Sequence, residues 1–272
     1  MTTPPPPPRD RVVVVTGGTG GIGLGVARAF LEQGDAVTIV GSSEERLQRA
    51  LAALSAFGGR ASGLAADLRI RANVETMFER VERERGGLEV LVNSVGINFR
   101  RAIAELTEQD YDRVMDTNVK AVFLCCQAAA TRMARAGRGG RIVNITSGNY
   151  RYVRPGASVY CGSKAAVEML TRAFALEFGP SDIRVNAVAP GLVDVPSSQS
   201  PAAFREIAEY YVTNAPLARL ATARDVADAV LFLASDRAAV ITGETVVVDG
   251  GFSAGRFDFP GQTGMGGAPH AA

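Results

Sequence analysis

Val12-Val13-Val14-Val15-Thr16-Gly17-Gly18-Thr19-Gly20-Gly21-Ile22-Gly23 decides the fold of this chain. The valine run is β-branched and suits a buried strand. The glycines that follow break it, and from Ile22 to Gln33 apolar residues recur at helical spacing. In a strand–turn–helix unit, glycines let the backbone approach a pyrophosphate, whose charge is favoured at the helix N-terminus. Glycine is also common in ordinary turns, so the loop alone is weak evidence. No Gly-Lys-Ser/Thr follows it, which argues against a P-loop.

Outward from this loop, strand and helix signals alternate as far as Val248. Ala36–Val40, Ala61–Ala66, Val90–Val92, Arg141–Ile145, Arg184–Val188 and Thr245–Val248 read as strands. Glu44–Ala56 reads as a helix capped by Ser42 or Ser43, followed by helices at Ala72–Arg85, Asp110–Ala136 (with Thr107 near its start) and Val159–Phe178. Thr222-Ala223-Arg224-Asp225 resembles a capping box opening Val226–Ala234. Such alternation predicts an α/β fold with right-handed βαβ crossovers, a doubly wound parallel sheet covered by helices on both faces. No linker interrupts it, so one domain is expected over residues 10–253. Residues 1–9 read as a disordered proline-rich leader, and residues 254–272 as a floppy tail or an arm packed on another subunit. Asp194–Tyr211 carries Pro196, Pro201 and several serines before a short helical patch, and predicts a mobile flap over about residues 194–214.

The totals exclude several function classes. A formal net charge of +1 on 272 residues argues against general nucleic-acid or membrane-surface binding. No apolar run reaches the roughly 18 residues of a membrane span. The three cysteines, two of them adjacent (Cys125, Cys126), make no disulfide framework, and a reducing cytoplasm is the simplest reading. The single histidine, His270, lies in the tail, which argues against Ser-His-Asp and Cys-His hydrolases and against His/Cys zinc sites. No metal site is expected, and acid/base work falls to Tyr, Lys, Asp or Glu.

Tyr160-Cys161-Gly162-Ser163-Lys164 places a phenol and an ammonium at i and i+4, on one helical face, with Ser147 thirteen positions upstream. A lysine beside a phenol favours the phenolate and lowers its pKa, and a serine hydroxyl can hydrogen-bond a substrate oxygen. Tyr-x-x-x-Lys pairs are common, but here only Lys120 and Lys164 among 29 Lys+Arg residues are lysine. A chain that otherwise uses arginine keeps at 164 the compact, titratable cation.

Taken together, Thr16-Gly-x-x-x-Gly-Ile-Gly23, Ser147, Tyr160 and Lys164 resemble the single-domain short-chain dehydrogenase/reductase family over Arg11–Phe252. Asp67-Leu68, Asn93-Ser94-Val95-Gly96, Asn118-Val119, Pro190-Gly191 and Asp249-Gly250-Gly251 fall in that family's order. The glycine loop also fits the extended branch, but chain length and the last two motifs favour the short one. The resemblance implies a Rossmann-like fold and hydride transfer between nicotinamide and a carbonyl or secondary alcohol. It implies that Gly17, Thr19, Gly21, Ile22 and Gly23 line the phosphates, and that Asp67 and Leu68 hold the adenine. Asn93, Val95 and Gly96 run beside adenine and ribose, Tyr160 and Lys164 bind the nicotinamide ribose, and Pro190, Gly191 and Val193 flank the nicotinamide. Tyr160 is then the general acid/base, Ser147 polarises the carbonyl, Lys164 lowers the tyrosine pKa, and Asn118 anchors a water in a proton relay.

Departures from the pattern leave specific questions. Ser94-Val95 replaces the common Asn-Ala, and Val195 stands where a threonine usually contacts the carboxamide, a role Ser197 or Ser198 can substitute. No acid ends the second strand, which favours NADP(H) over NAD(H), with Ser42, Ser43 and Arg46 as phosphate partners. The usual NADP arginines are also missing, at Gly20 and Ser42. Arginines alternate with aromatics in Gly148–Arg154 and Asn98–Arg101, which suits a large aromatic or anionic substrate or, equally, a solvated surface. Arg132, Arg135 and Arg138 form a candidate docking patch for an acidic acyl-carrier protein, as a 3-oxoacyl reductase would need. A non-catalytic NAD(P)-binding redox sensor is the alternative of another class. The family further implies a homotetramer or homodimer, and the apolar segment Val119–Ala130 is compatible with a subunit face.

Overall fold

The computed structural model describes residues 11–195 and 201–255, without the side chains of 201–203. The expected leader, Ser197 and Ser198, tail residues from 256 onward and His270 lie outside the described residues. The strands are β1 (Val12–Thr16), β2 (Ala36–Gly41), β3 (Ala61–Ala65), β4 (Val90–Asn93), β5 (Gly140–Ile145), β6 (Ile183–Pro190), β7 (Val193–Asp194), β8 (Ala221–Thr222) and β9 (Thr245–Val248). Seven of them form one parallel sheet in the order β3-β2-β1-β4-β5-β6-β9, while β7 and β8 pair separately. The chain winds outward from β1 to β3, then crosses back to β4. The carboxyl ends of β1 and β4 therefore border the crevice where open α/β sheets take ligands.

Period-two alternation explains why the valine run is continuous. Val13 and Val15 face one core with Val26 and Phe30 of α1 (Gly21–Glu32), Leu47 of α2 (Glu44–Ala53) and Val226 of α8 (Ala223–Leu233). Val12 and Val14 face the other, with Phe78 of α3 (Arg71–Arg85), Leu124 of α5 (Ala121–Ala136) and Val167 of α6 (Ser158–Phe178). A strand covered on both faces needs apolar residues at every position.

Three expectations change. The segment expected as one long helix is α4 (Glu108–Met115), a π turn over Asp116–Lys120, and then α5. Thr107 caps α4 in a reciprocal capping box with Asp110. The helix expected to reach Ala56 stops at Ala53 and gives way to a 3₁₀ segment, Ser55–Arg60, in which Gly58 takes φ 56°. The expected flap contains α7 (Pro201–Asn214), fourteen residues long rather than a short patch.

The apolar content of Val119–Ala130 is largely internal. Ala121, Val122, Leu124, Cys125 and Cys126 are buried in the core of the single chain, so that segment is no ready-made subunit face. Among the described residues no helix is long and apolar enough to cross a membrane.

Candidate active site

The β1–α1 loop is shaped by contacts that admit no side chain. Gly17 takes φ 67°, and a Cβ there would stand 2.6 Å from the Ser94 backbone; one at Gly23 would collide with the Gly17 carbonyl. A Cβ at Gly20, by contrast, would meet nothing, and Gly20 caps α1 without any side-chain bond. The loop is thus pressed against β4 on one side and open on the other, where the first amides of a 12-residue helix are available to an anion. This geometry fits a dinucleotide pyrophosphate. Thr19 packs over Gly41, whose Cβ would fall 2.5 Å from Thr19 Cγ2, and Gly21 (φ 50°) lies beneath Val195.

Not every residue expected to line the cofactor offers its side chain. Ile22 packs against the second core and Val193 belongs to it, while Leu68 is buried in the first. Leu68 and Val193 leave mainly their backbone for a ligand, while Ile22 is half-buried. Val95 is half-buried against the first core as well. The Asp67 carboxylate is paired with Arg69 at 2.7 Å and accepts from the Arg69 amide, which holds its pKa below the ordinary value. Ser42 is exposed, and Ser43 caps α2 by accepting from the Arg46 amide. Gly191, directly after β6, lies against Asp249: a Cβ there would come within 2.7 Å of Asp249 Cβ.

Asn93 belongs to a buried polar chain that sequence reasoning missed. Its Oδ1 accepts from Thr16 Oγ1 (3.2 Å) and its Nδ2 donates to Asn144 Oδ1 (2.9 Å). Asn144 in turn donates to Thr171 Oγ1 (2.9 Å), and Thr171 to the Val167 carbonyl. The chain ties β1, β4, β5 and α6 together through the core. A polar residue inside the apolar run Arg141–Ile145 was the available signal.

Tyr160 and Lys164 share the inner face of α6, as the spacing predicts. Lys164 is buried, donates to the Ile145 carbonyl at the end of β5 (3.0 Å) and stands 5.9 Å from the Tyr160 ring centre. Burial depresses its pKa from 10.5 to about 8. Burial also raises the Tyr160 phenol, opposed by the adjacent Ser147 hydroxyl and by Arg154. This corrects the expectation that Lys164 lowers the tyrosine pKa: desolvation dominates, and the phenol is held protonated.

Ser147, at the carboxyl end of β5, accepts from the Asn149 amide at 3.3 Å. A Cβ on Gly96 would lie 3.3 Å from Lys164 Nζ, so the β4 loop passes directly over the lysine. Asn118, in the π turn, accepts from the Ile97 amide (2.8 Å) and donates to the Ile97 carbonyl and Ser163 Oγ. Ser163 donates to the Tyr160 carbonyl. The Asn118 side chain is therefore a clasp between the β4 loop and α6.

The loop arginines separate into two kinds. Arg101 is paired with Asp110 at 2.7 Å, and Arg151 lies over the Tyr150 ring. Arg154 has its Nε buried without a partner and makes no hydrogen bond or ion pair among the described residues. With Arg100, Tyr152, Tyr210, Tyr211 and Phe252 it lines a cavity of about 820 Å³. On the expected carrier-protein patch, Arg132 bridges Glu75 and Glu82, and Arg138 reaches Glu89 at 3.7 Å. The three-arginine docking patch is thus mostly neutralised within the chain.

Residues 17–253 match the family model described as enoyl-(acyl carrier protein) reductase. The chain is 39% identical to a 3alpha-hydroxysteroid dehydrogenase of Mediterraneibacter gnavus, over 87% of this chain and 94% of that protein. It is 37% identical to the 3-oxoacyl-[acyl-carrier-protein] reductase FabG of Staphylococcus aureus, over 87% and 96%. The solved structure of ElxO with NADP bound is similar at TM-score 0.85 and 30% identity, covering 91% of this chain and all of that one. The chain belongs to the short-chain dehydrogenase/reductase family. It is an NAD(P)-dependent oxidoreductase of carbonyls and secondary alcohols, rather than a non-catalytic sensor.

Proposed function

We propose that Tyr160 is the general acid of a ketone reduction and, in reverse, the base of an alcohol oxidation. The observation that carries this reading is the half-buried, protonated phenol with the Ser147 hydroxyl beside it and Lys164 one helical turn away. A phenol with a raised pKa gives its proton only when a stronger base forms, and the developing alkoxide is such a base. Ser147 donates a hydrogen bond to the carbonyl oxygen and keeps it against Tyr160. Lys164, fixed by Ile145, presents its remaining protons toward the nicotinamide ribose and supplies the positive charge of the site. Asn118 is a positioning residue that holds the loop over Lys164. The nicotinamide, when bound, supplies or accepts the hydride. Gly17, Thr19, Gly21, Gly23, Asp67, Gly96, Pro190 and Gly191, with the backbones of Ile22, Leu68, Asn93, Val95 and Val193, form its cradle.

NADP(H) is favoured over NAD(H). β2 ends without an acid, Asp67 is neutralised by Arg69, and the Arg46 side chain has no partner among the described residues at the start of α2. Following NADPH oxidation over 3-oxosteroids, cyclic ketones, aromatic polyketide ketones, keto-sugars and β-ketoacyl thioesters tests the reading. Reduction of any of these ketones is the expected result; inertness toward all would contradict it. The second reading, a carrier-bound 3-oxoacyl reductase, is favoured by the likeness to FabG and disfavoured by the neutralised arginine patch. Salt-sensitive turnover of carrier-bound but not free β-ketoacyl substrates would select it.

Residues 10–253 are taken as one catalytic unit, with a cytoplasmic location supported by free thiols at Cys125, Cys126 and Cys161. A homodimer or homotetramer is supported by the apolar side chains that α6 leaves exposed, Met169 and Leu176.

A further inference from the structure

The cavity between the β5–α6 loop, α7 and Phe252 has two features that the general reading leaves unused. The first is a wall of four aromatic rings drawn from three parts of the chain. Tyr211 of α7 stacks on Phe252, which follows β9, at 4.0 Å and 16°. Tyr152, from the β5–α6 loop, and Tyr210 each meet Phe252 at 6.0 Å. The Tyr152 and Tyr211 hydroxyls are bonded to one another at 2.9 Å, so the two phenols pair with each other and the wall they form presents mainly ring surface. A volume of about 820 Å³ bounded by flat rings accommodates a ring system rather than a small ketone.

The second feature is Arg154. It is half-buried, its Nε is enclosed without a partner, and among the described residues it makes no hydrogen bond or ion pair. Arg184, whose Nε is likewise unpartnered, is satisfied through its other nitrogens by the Leu233 and Ser235 carbonyls near the end of α8. A half-buried guanidinium with no internal acceptor keeps its planar fork available, and that fork matches a carboxylate. Tyr152, two residues before it, packs on Gly148 next to Ser147, and Asn149 bonds both the Ser147 hydroxyl and the Tyr152 carbonyl, which places this wall at the reacting end of the cavity. Arg100 and Glu206 also line the wall, but both are exposed, where water screens them. Arg154 is the less exposed of the two arginines lining the cavity, so water screens it less.

We propose that this cavity is a subsite for a ring-bearing ketone or alcohol that carries a carboxylate, with Arg154 as the partner of the anion. The proposal rests on the carbonyl-reductase reading, because it places the ring beside Tyr160. The neutral thioester of a carrier-bound chain would leave Arg154 unpaired.

The test uses two matched pairs of probes, 3-oxo-5β-cholan-24-oate and 4-acetylbenzoate, each beside its methyl ester. Binding is measured calorimetrically to the full chain saturated with NADP⁺. At least one acid is expected to bind roughly 10- to 100-fold more tightly than its ester. In Arg154→Gln this ratio is expected to fall to near one, and in Arg154→Lys to recover in part. The ratio reports on the anion alone, so a general loss of packing would not move it. Equal binding of acid and ester, a preference for the esters, binding of neither, or a ratio unchanged in Arg154→Gln would overturn the proposal. The reductase reading is tested separately by turnover of the esters, which carry the ketone without the anion. Esters reduced without any preference for the acids would leave that reading standing and this one overturned.

Discussion

Two polar clusters lie a few residues apart at the carboxyl ends of the central strands, and they are built on opposite principles. Thr16, Asn93, Asn144 and Thr171 bond to one another from β1 across to α6, and each is at most 1% exposed. Tyr160, Lys164 and Arg154 sit on the same scaffold beside Ser147 but leave hydrogen-bonding capacity unmade: among the described residues Lys164 has one bond, to a carbonyl, and Arg154 has none. Buried polar groups are stabilising when satisfied and costly when not. The first cluster therefore fixes the sheet, whereas in the second the buried Lys164 carries a desolvation cost and its half-buried neighbours stay open to a ligand.

The sharpest way to break this distinction is Lys164→Met, which should lose roughly three orders of magnitude of turnover while stabilising the cofactor-free protein. The folded pKa of Lys164 lies below its ordinary value, so the folded state binds the proton less well than the unfolded state does. The resulting penalty is complete below pH 8 and is relieved as pH rises from about 8 to 10.5, so stability increases across that window. The depression corresponds to about 3 kcal/mol. With the Ile145 bond also lost, urea denaturation at pH 7 should find the variant about 1–3 kcal/mol more stable. That difference should shrink toward pH 10; a less stable variant at pH 7 would contradict the assignment.

Asn144→Ala probes the other cluster. Removing the central member leaves Asn93 and Thr171 partly unpaired, and should cost about 2–4 kcal/mol in chemical denaturation with little change in substrate KM. If KM rose sharply while stability held, the network would belong to the site instead. The smallest effect is expected at the rim. Arg46→Ala should reduce the preference for NADPH over NADH by about tenfold in dissociation constants, the strength of one exposed charge-assisted contact. Tighter NADH binding in the unmodified protein would overturn the cofactor preference.

What was legible in the sequence follows from how local each signal is. The valine run and glycine loop are short-range, and they yielded β1, α1 and the sheet class. The i, i+4 spacing placed Tyr160 and Lys164 on one face because a helix fixes that geometry by itself. The capping boxes at Thr107 and Thr222 are equally local, and the Thr222 box was read in advance. The π turn at Asn118 was not legible, and the bonds Asn118 makes there, to Ile97 and Ser163, are tertiary and form only on folding. The same holds for the direction of the Tyr160 shift. A neighbouring cation can be read from spacing, but desolvation depends on the whole envelope around the phenol. Of the loop arginines, only tertiary contacts could separate Arg101, held by Asp110, from Arg154, held by nothing.

The central claim, that Tyr160 is the acid/base of a nicotinamide-dependent carbonyl reduction, is tested most directly by Tyr160→Phe. Turnover would be followed by NADPH absorbance on any ketone the protein reduces, alongside the NADPH dissociation constant. The account predicts a loss of at least about a hundredfold in kcat with NADPH binding held within a few-fold. Near-normal turnover in the variant would contradict it.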